Sequence, residues 1–245
     1  MIPKKIHYCW FGKKEMPKLA KKCIASWKKH CPDYEIICWN EDNFDINSNI
    51  YVKEAYENKK FAFVTDFVRL FVLYEYGGIY MDTDVEVIKN IDEFLGNNAF
   101  SGFESENTVP TGIMASEPKL EIYKELLDYY NDRHFVQENG EFDLTSNVTT
   151  ITEIFTKKGL KKNNTLQTIE GFTFYPKEFF CPIDYSTKNM NKTDKTYTIH
   201  WFAGSWVPKK EKVKIFMYNF VKSIFGEEKT YKILQKIKGS KNDER

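Results

Sequence analysis

The sequence predicts a one-domain α/β fold, and three observations carry that prediction. The chain opens with a strand, a helix and a second strand between Ile6 and Trp39. An apolar helix at Phe63–Tyr76 is stopped by Gly77-Gly78 and followed at once by a short apolar strand at Ile79–Met81. The length of 245 residues suits one sizeable domain and hardly two.

In chain order, Ile6–Trp10 reads as a strand that runs into a turn at Gly12. Lys18–His30 reads as a helix, because Leu19, Cys23 and Trp27 recur every four residues. Tyr34–Trp39, with EIICW, is a second strand, and the β-α-β order implies parallel pairing through a right-handed crossover. Tyr51–Lys59 is expected as a short polar helix. Gly77 and Gly78 end the Phe63–Tyr76 helix, since glycine tolerates the left-handed conformation beyond a helix C-terminus. Extended chain is expected at Val85–Ile88 and Ala99–Phe103. Helices are expected at Leu120–Asn131 and at Asn147–Lys158, the latter capped by Thr145 or Ser146. Thr173–Tyr175 and Thr196–His200 read as late strands.

Composition narrows the function classes. Aromatic residues make up 16% of the chain, too many for a disordered segment. A net charge of +1 gives no reason to expect nucleic acid as a partner. The five cysteines form no CxxC pair, so neither a disulfide framework nor a zinc ribbon is indicated, and reduced thiols in a cytosol are the simpler expectation. Lys4, Lys5 and His7 interrupt the apolar start, which does not read as a signal peptide. Asp66 and Arg69 break the longest apolar run, so a soluble, cytoplasmic protein is expected. Between residues 209 and 245, ten Lys and one Arg stand against five acids. Val213, Phe216, Phe220, Val221 and Ile224 share one helical face there. The expected partition is a domain over 1–208 and a basic amphipathic extension over 209–245. That extension either lies on an anionic membrane or packs on the domain with a solvated lysine face.

Candidate chemistry centres on Asp82-Thr83-Asp84, at the end of a buried strand. On extended backbone, residues two apart point the same way, so both carboxylates could hold one ion. Mg²⁺ and Mn²⁺ prefer oxygen ligands and share them with substrate phosphates. A lone DxD is also a common polar turn. Its context, after a Gly-Gly stop and an apolar strand, aims it at the C-terminal edge of a sheet, where open α/β folds bind ligands. Asp66 and Arg69 lie three apart on one helical face. They read either as an intrahelical ion pair or as charges kept in an apolar helix for a sugar hydroxyl or phosphate oxygen. His200 ends a strand and is either a metal ligand or a hydrogen-bonded core histidine. His7 and His30 have no partner motif and read as structural.

Three blocks, IPKKIHYCWFG, FAFVTDFVRLFVLYEYGGIYMDTDV and HWFAGSW, resemble the DxD-containing sugar transferases of glycosyltransferase family 32. They are closest to the small bacterial members found with capsule and surface-polysaccharide genes; the clostridial glucosylating toxins carry a related catalytic core. The resemblance covers residues 1 to about 208. It implies a GT-A fold, with a Rossmann-like mixed central sheet flanked by helices. It also implies a retaining transfer from a nucleotide-diphosphate sugar assisted by Mn²⁺ or Mg²⁺. Carried over by position, Trp10 matches a Trp that stacks on uracil, and Asp66 and Arg69 match a pair contacting the donor sugar. Asp82 and Asp84 are the DxD around Thr83, with Asp84 the more direct metal ligand and His200 a third. Ser205 and Trp206 match residues that reach the donor diphosphate, on a loop at 203–208 that could close as a lid.

The metal, Arg69 and the Trp206 indole could stabilise the diphosphate leaving group. Glu104, Glu106 and Asn147 are candidates near the acceptor, although solvated loop or cap positions explain them as well. Thr111-Gly112 is expected as a backbone turn beneath the donor sugar. The expected donor is UDP-galactose first and UDP-glucose second, and the expected acceptor a bacterial surface-glycan precursor. The rival readings are a nucleotide-sugar hydrolase, another metal-dependent phosphodiesterase, and a non-catalytic nucleotide-sugar binder.

Overall fold

The computed structural model describes residues 1–185 and 187–204. The expected basic helix at 209–245, and Ser205 and Trp206, lie outside the described residues. The described compact unit spans Met1–Ala203.

The first half runs β1 (Lys5–Cys9), α1 (Lys18–His30), β2 (Glu35–Trp39), α2 (Ile50–Glu57), α3 (Phe61–Tyr76), β3 (Gly78–Met81) and β4 (Val85–Val87). There follow β5 (Ala99–Gly102), β6 (Ile113–Ser116), α4 (Glu121–Asp128), α5 (Asn147–Lys157), β7 (Gln167–Ile169), β8 (Phe172–Tyr175), α6 (Lys177–Phe180) and β9 (Thr198–His200). Seven strands form one mixed sheet in the order β2-β1-β3-β6-β5-β8-β7, and β4 pairs with β9 in a separate ribbon. β1 is parallel to both β2 and β3, as the β-α-β opening predicts. β6 enters antiparallel between β3 and β5.

Alternation along the strands sends side chains to opposite faces. Tyr80 and Met114 join a cluster built on α2, α3, α4 and α5, while Ile79, Met81, Ile113 and Ala115 join the cluster that contains Cys23 and Trp27 of α1. The result is a sheet covered on both faces.

Several elements depart from the sequence reading. α2 is amphipathic rather than polar, because Tyr51, Val52 and Ala55 are fully buried. β6, β7 and α6 were not expected; each is too short for a period to show. Ser146, not Thr145, caps α5 by accepting from the Thr149 N–H.

The junction between α3 and β3 places the site. Gly77 and Gly78 have φ of 62° and 101°. A β-carbon at Gly77 would lie 2.7 Å from Pro118 Cδ and 2.9 Å from Ser116 O, so both backbone angle and space require glycine. The chain reverses here and enters β3 at once, which puts Asp82 at the C-terminal edge of the parallel strands.

Candidate active site

Asp82 continues β3 by one hydrogen bond, its N–H donating to Gly112 O at 2.8 Å. The chain then turns. The Val85 N–H donates to Asp82 O at 3.0 Å, so Asp82-Thr83-Asp84 lies on a tight turn and not on extended backbone. The expectation of two carboxylates pointing the same way along a strand is therefore corrected. The pair is brought together by the turn and by what pairs with it. β4 lies antiparallel to β9 with Val85 opposite His200. That ladder sets His200 Nε2 3.4 Å from Asp84 Oδ1. Ligand atoms of Asp82, Asp84 and His200 all lie within 4.8 Å of one another.

This donor set fits a divalent ion. The two carboxylates suit Mn²⁺ or Mg²⁺, and the imidazole nitrogen favours Mn²⁺ over the harder Mg²⁺. His200 Nδ1 is buried and has no hydrogen bond of normal geometry among the described residues, with Glu104 Oε2 3.8 Å away. Burial disfavours charge on both Asp84 and His200. Their mutual hydrogen bond overrides it, drawing Asp84 below the usual carboxylate range and raising His200 well above the usual imidazole range. Asp84 Oδ2 also accepts the Ala203 N–H at 2.7 Å, which ties the segment after β9 to the same carboxylate.

Behind this cluster lies a buried charge network. Arg69 Nη2 is 3.1 Å from Asp82 Oδ1 and 3.3 Å from Asp66 Oδ1, and both Arg69 and Asp66 side chains are about nine-tenths buried. The intrahelical pair expected from the spacing thus exists, and it extends to the DxD. The guanidinium also stacks on Tyr80, 4.7 Å from the ring centre, while the Tyr80 hydroxyl donates to Asp82 Oδ1 at 3.1 Å. Tyr80 was missed in the sequence, although its place two residues before Asp82 in a strand puts the two side chains on one face.

Asp66 is held from a second side. The Asn147 N–H donates to Asp66 Oδ2 at 3.2 Å, and Asn147 Nδ2 donates to Asp66 O at 2.7 Å. Tyr130 closes the chain by donating to Asn147 Oδ1 at 2.6 Å. Asn147 is therefore a buried brace of Asp66, not a solvated cap. Burial pushes the Asp66 carboxyl up to about 6, against the pull of Arg69.

Of the remaining expected residues, Glu104 faces His200 and burial raises its carboxyl above the usual range. Glu106 is exposed and accepts from Asn164 Nδ2 at 3.3 Å, so it is not part of the cluster. Thr83 is half-buried on the turn, and Thr111 is buried, its N–H donating to Ser101 Oγ at 3.3 Å. Trp10 follows β1 at the same sheet edge and is half-buried, with its indole N–H donating to Lys14 O at 2.6 Å. That bond fixes the ring and leaves the indole N–H engaged. His7 is structural as expected. Its Nε2 lies 2.8 Å from Gly77 O, and Nδ1 accepts from the Trp39 indole at 3.1 Å. All five cysteines are free.

The geometry can be set beside known proteins. The family described as glycosyltransferase sugar-binding region containing DXD motif matches residues 17–101, which include Asp66, Arg69, Asp82 and Asp84. An uncharacterized glycosyltransferase of Acanthamoeba polyphaga mimivirus is 28% identical over 237 residues, covering 89% of each chain. Inositol phosphoceramide mannosyltransferase 3 of Schizosaccharomyces pombe is 31% identical over 120 residues, 46% of this chain and 31% of that protein. The chain thus spans about a third of that mannosyltransferase's length. Among solved structures, a galactosyltransferase, LgtC, aligns with a TM-score of 0.45 at 13% identity, over 86% of this chain and 94% of that one. The chain itself has a mixed seven-stranded sheet, with helices on both faces and the aspartates at its parallel edge. The chain is a glycosyltransferase, and its residues 17–101 are similar to the DXD-containing sugar-binding region, with the matched aspartates assembled on that edge.

Proposed function

We propose that this transferase moves a hexose from a UDP-sugar to a glycan acceptor with retention of anomeric configuration. UDP-galactose is the first donor and UDP-glucose the second, with surface-polysaccharide synthesis in the cytoplasm as the setting. The observation that carries the reading is the assembly of Asp82, Asp84 and His200 beside the buried Arg69 guanidinium. Asp82, Asp84 and His200 would hold Mn²⁺ or Mg²⁺, which when bound supplies positive charge for a departing diphosphate. Arg69 contributes a fixed cation that orients Asp82, since ion pairing and stacking hold its head in place. Asp66, braced by Asn147, would accept a hydrogen bond from a sugar hydroxyl. Trp10 offers a ring whose orientation is fixed by Lys14 for stacking on the base. No carboxylate is assigned as a nucleophile, and front-face attack is the retaining route we favour. Glu104 stands beside His200 as the remaining acid for the acceptor side.

Peripheral membrane contact through residues 209–245 rests on their charge and on the sequence spacing of Val213, Phe216, Phe220, Val221 and Ile224. The Ser205 and Trp206 contacts to the donor rest on the resemblance alone. The relatives named as mannosyltransferases give a specific reason to carry a second donor class, a nucleotide-linked mannose. A nucleotide-sugar hydrolase remains the rival reaction.

The test is a panel of nucleotide sugars, including a mannose donor, incubated with the protein and Mn²⁺ while free nucleotide release is followed beside Asp84→Ala. Release from one UDP-hexose that the variant loses supports the donor site. Transfer to an added glycan above the hydrolysis rate supports transferase over hydrolase. Selective release from a mannose donor would overturn the UDP-hexose assignment.

A further inference from the structure

Gly112 lies at the entry to β6, and its surroundings give it a role beyond that of a turn. A β-carbon built on its backbone would lie 2.8 Å from Val85 Cγ2, 3.1 Å from Asp82 Oδ2 and 3.2 Å from His200 Cε1. Two of these belong to the three residues that converge on the candidate ion. The third reaches the remaining one: Val85 follows Asp84 in the chain and faces His200 across the β4–β9 ladder. One missing side chain therefore borders all three ligands, two directly and Asp84 through its neighbour. Gly112 is absent from the positive-φ residues, so space and not backbone angle requires glycine here.

The backbone on either side of Gly112 cannot easily back away. Gly112 O accepts the Asp82 N–H at 2.8 Å. The Thr111 N–H donates to Ser101 Oγ, and Ser101 Oγ donates in turn to Ile113 O at 2.6 Å, so one buried hydroxyl staples the residues that flank Gly112. Val85 is also buried and β-branched, with little rotamer freedom to yield. A methyl group placed here would push on the ligands rather than on a soft neighbour. Clearing the Val85 contact alone needs a shift of roughly half an ångström or more, while metal–ligand distances tolerate only about ±0.2 Å.

We propose that Gly112 is the positioning residue of the metal centre, its lack of a side chain setting the separation of Asp82, Asp84 and His200. The inference rests on the metal reading above. It predicts that ligand geometry, and with it ion affinity, is limited by the floor on which the three ligands rest.

The test measures Mn²⁺ binding by titration calorimetry and by the loss of free-ion electron paramagnetic resonance signal, without nucleotide. The proteins are the wild-type chain, Gly112→Ala, Gly96→Ala and Gly112→Ala combined with Val85→Ala, with thermal melts on each. Gly96 is exposed, and a β-carbon there meets nothing within 4 Å, so Gly96→Ala keeps wild-type affinity. Gly112→Ala weakens Mn²⁺ binding by about 10- to 100-fold, the range for changes that disturb ligand orientation. Removing the Val85 methyls gives the new methyl room, so the double variant recovers at least threefold of that loss; it also serves should Gly112→Ala alone fail to fold. Unchanged affinity in Gly112→Ala, or no recovery in the double variant, overturns the proposal while the metal reading stands. A wild-type chain that binds no Mn²⁺, or that binds it equally well as Asp84→Asn, overturns the metal reading and the proposal with it.

Discussion

Asp84 Oδ1 and His200 Nε2 lie 3.4 Å apart because two three-residue strands distant in sequence pair with each other, Val85 opposite His200. The ribbon is short, yet it joins the DxD turn to the last described strand, and the Trp201 N–H adds a bond to Asp84 O at 3.0 Å. A metal centre built this way depends on contacts distant in sequence.

Removing the Asp84 carboxylate is expected to lower donor turnover at least 100-fold, because one ligand is lost and His200 is left without its partner. A chelator should do the same to the wild-type chain, and added Mn²⁺ should restore it. Nucleotide release before and after chelation checks both. Turnover in chelator equal to that with Mn²⁺ would count against the ion.

Asp66 should show a trade between stability and function. Its carboxyl is pushed up to about 6 by burial, so at pH 7 the fold holds an ionised group it disfavours. The sign follows from linkage: the folded chain keeps this proton to higher pH than the unfolded chain does, so stability falls as pH rises from 3.8 to about 6. Asp66→Asn is then at least as stable as wild type at pH 7, by up to about 3 kcal/mol, while turnover drops more than tenfold. Arg69→Met behaves oppositely, costing about 3–5 kcal/mol, since Asp66 and Asp82 lose their shared cation. Urea unfolding at pH 7 with parallel assays tests the pair, and an Asp66→Asn chain destabilised by several kcal/mol would refute the argument.

His7 acts in the other direction. Burial lowers its imidazole from 6.5 to about 4, and its two bonds, to Gly77 O and from the Trp39 indole, suit the neutral ring. The unfolded chain takes up a proton near pH 6.5 that the folded chain refuses until about 4. Stability from this site is therefore complete above pH 6.5 and falls by about 3 kcal/mol as pH drops to 4. Because Asp66 has the opposite sign in nearly the same window, the informative quantity is the difference between wild type and His7→Gln. That difference should shrink toward acid by about 3 kcal/mol. A constant difference across pH 4–7 would show that His7 does not titrate this way.

Gly77→Ala is expected to destabilise by at least about 2 kcal/mol. Positive φ alone costs an alanine about 1–2 kcal/mol, and its β-carbon would also meet Pro118 and Ser116 O. Gly96→Ala, in open space, should change stability by less than about 0.5 kcal/mol. Denaturant midpoints of the two variants decide it.

Most helices and strands were legible because each carries a local signal. The spacing of Leu19, Cys23 and Trp27 marks α1 to the residue, and Gly77-Gly78 marks the end of α3. β6 was not legible: Ile113–Ser116 is four residues, buried on both faces, and inserted antiparallel among partners distant in sequence. α2 was misjudged because Lys53, Glu54 and Glu57 hide the Tyr51, Val52 and Ala55 face that tertiary packing buries.

The same division holds at the site. Sequence by itself determined the residue types and their order, including Asp66 and Arg69 one turn apart and a DxD after a strand, because those relations are short-range and set by helix and strand periods. Tertiary structure alone decided that Arg69 reaches Asp82 as well as Asp66, that Asn147 braces Asp66, and that His200 meets Asp84. Only the fold could decide that Gly112 lies beneath them. The physical reason is burial: charges withdrawn from water must find partners wherever the chain brings them, and no local period encodes which distant segment that will be.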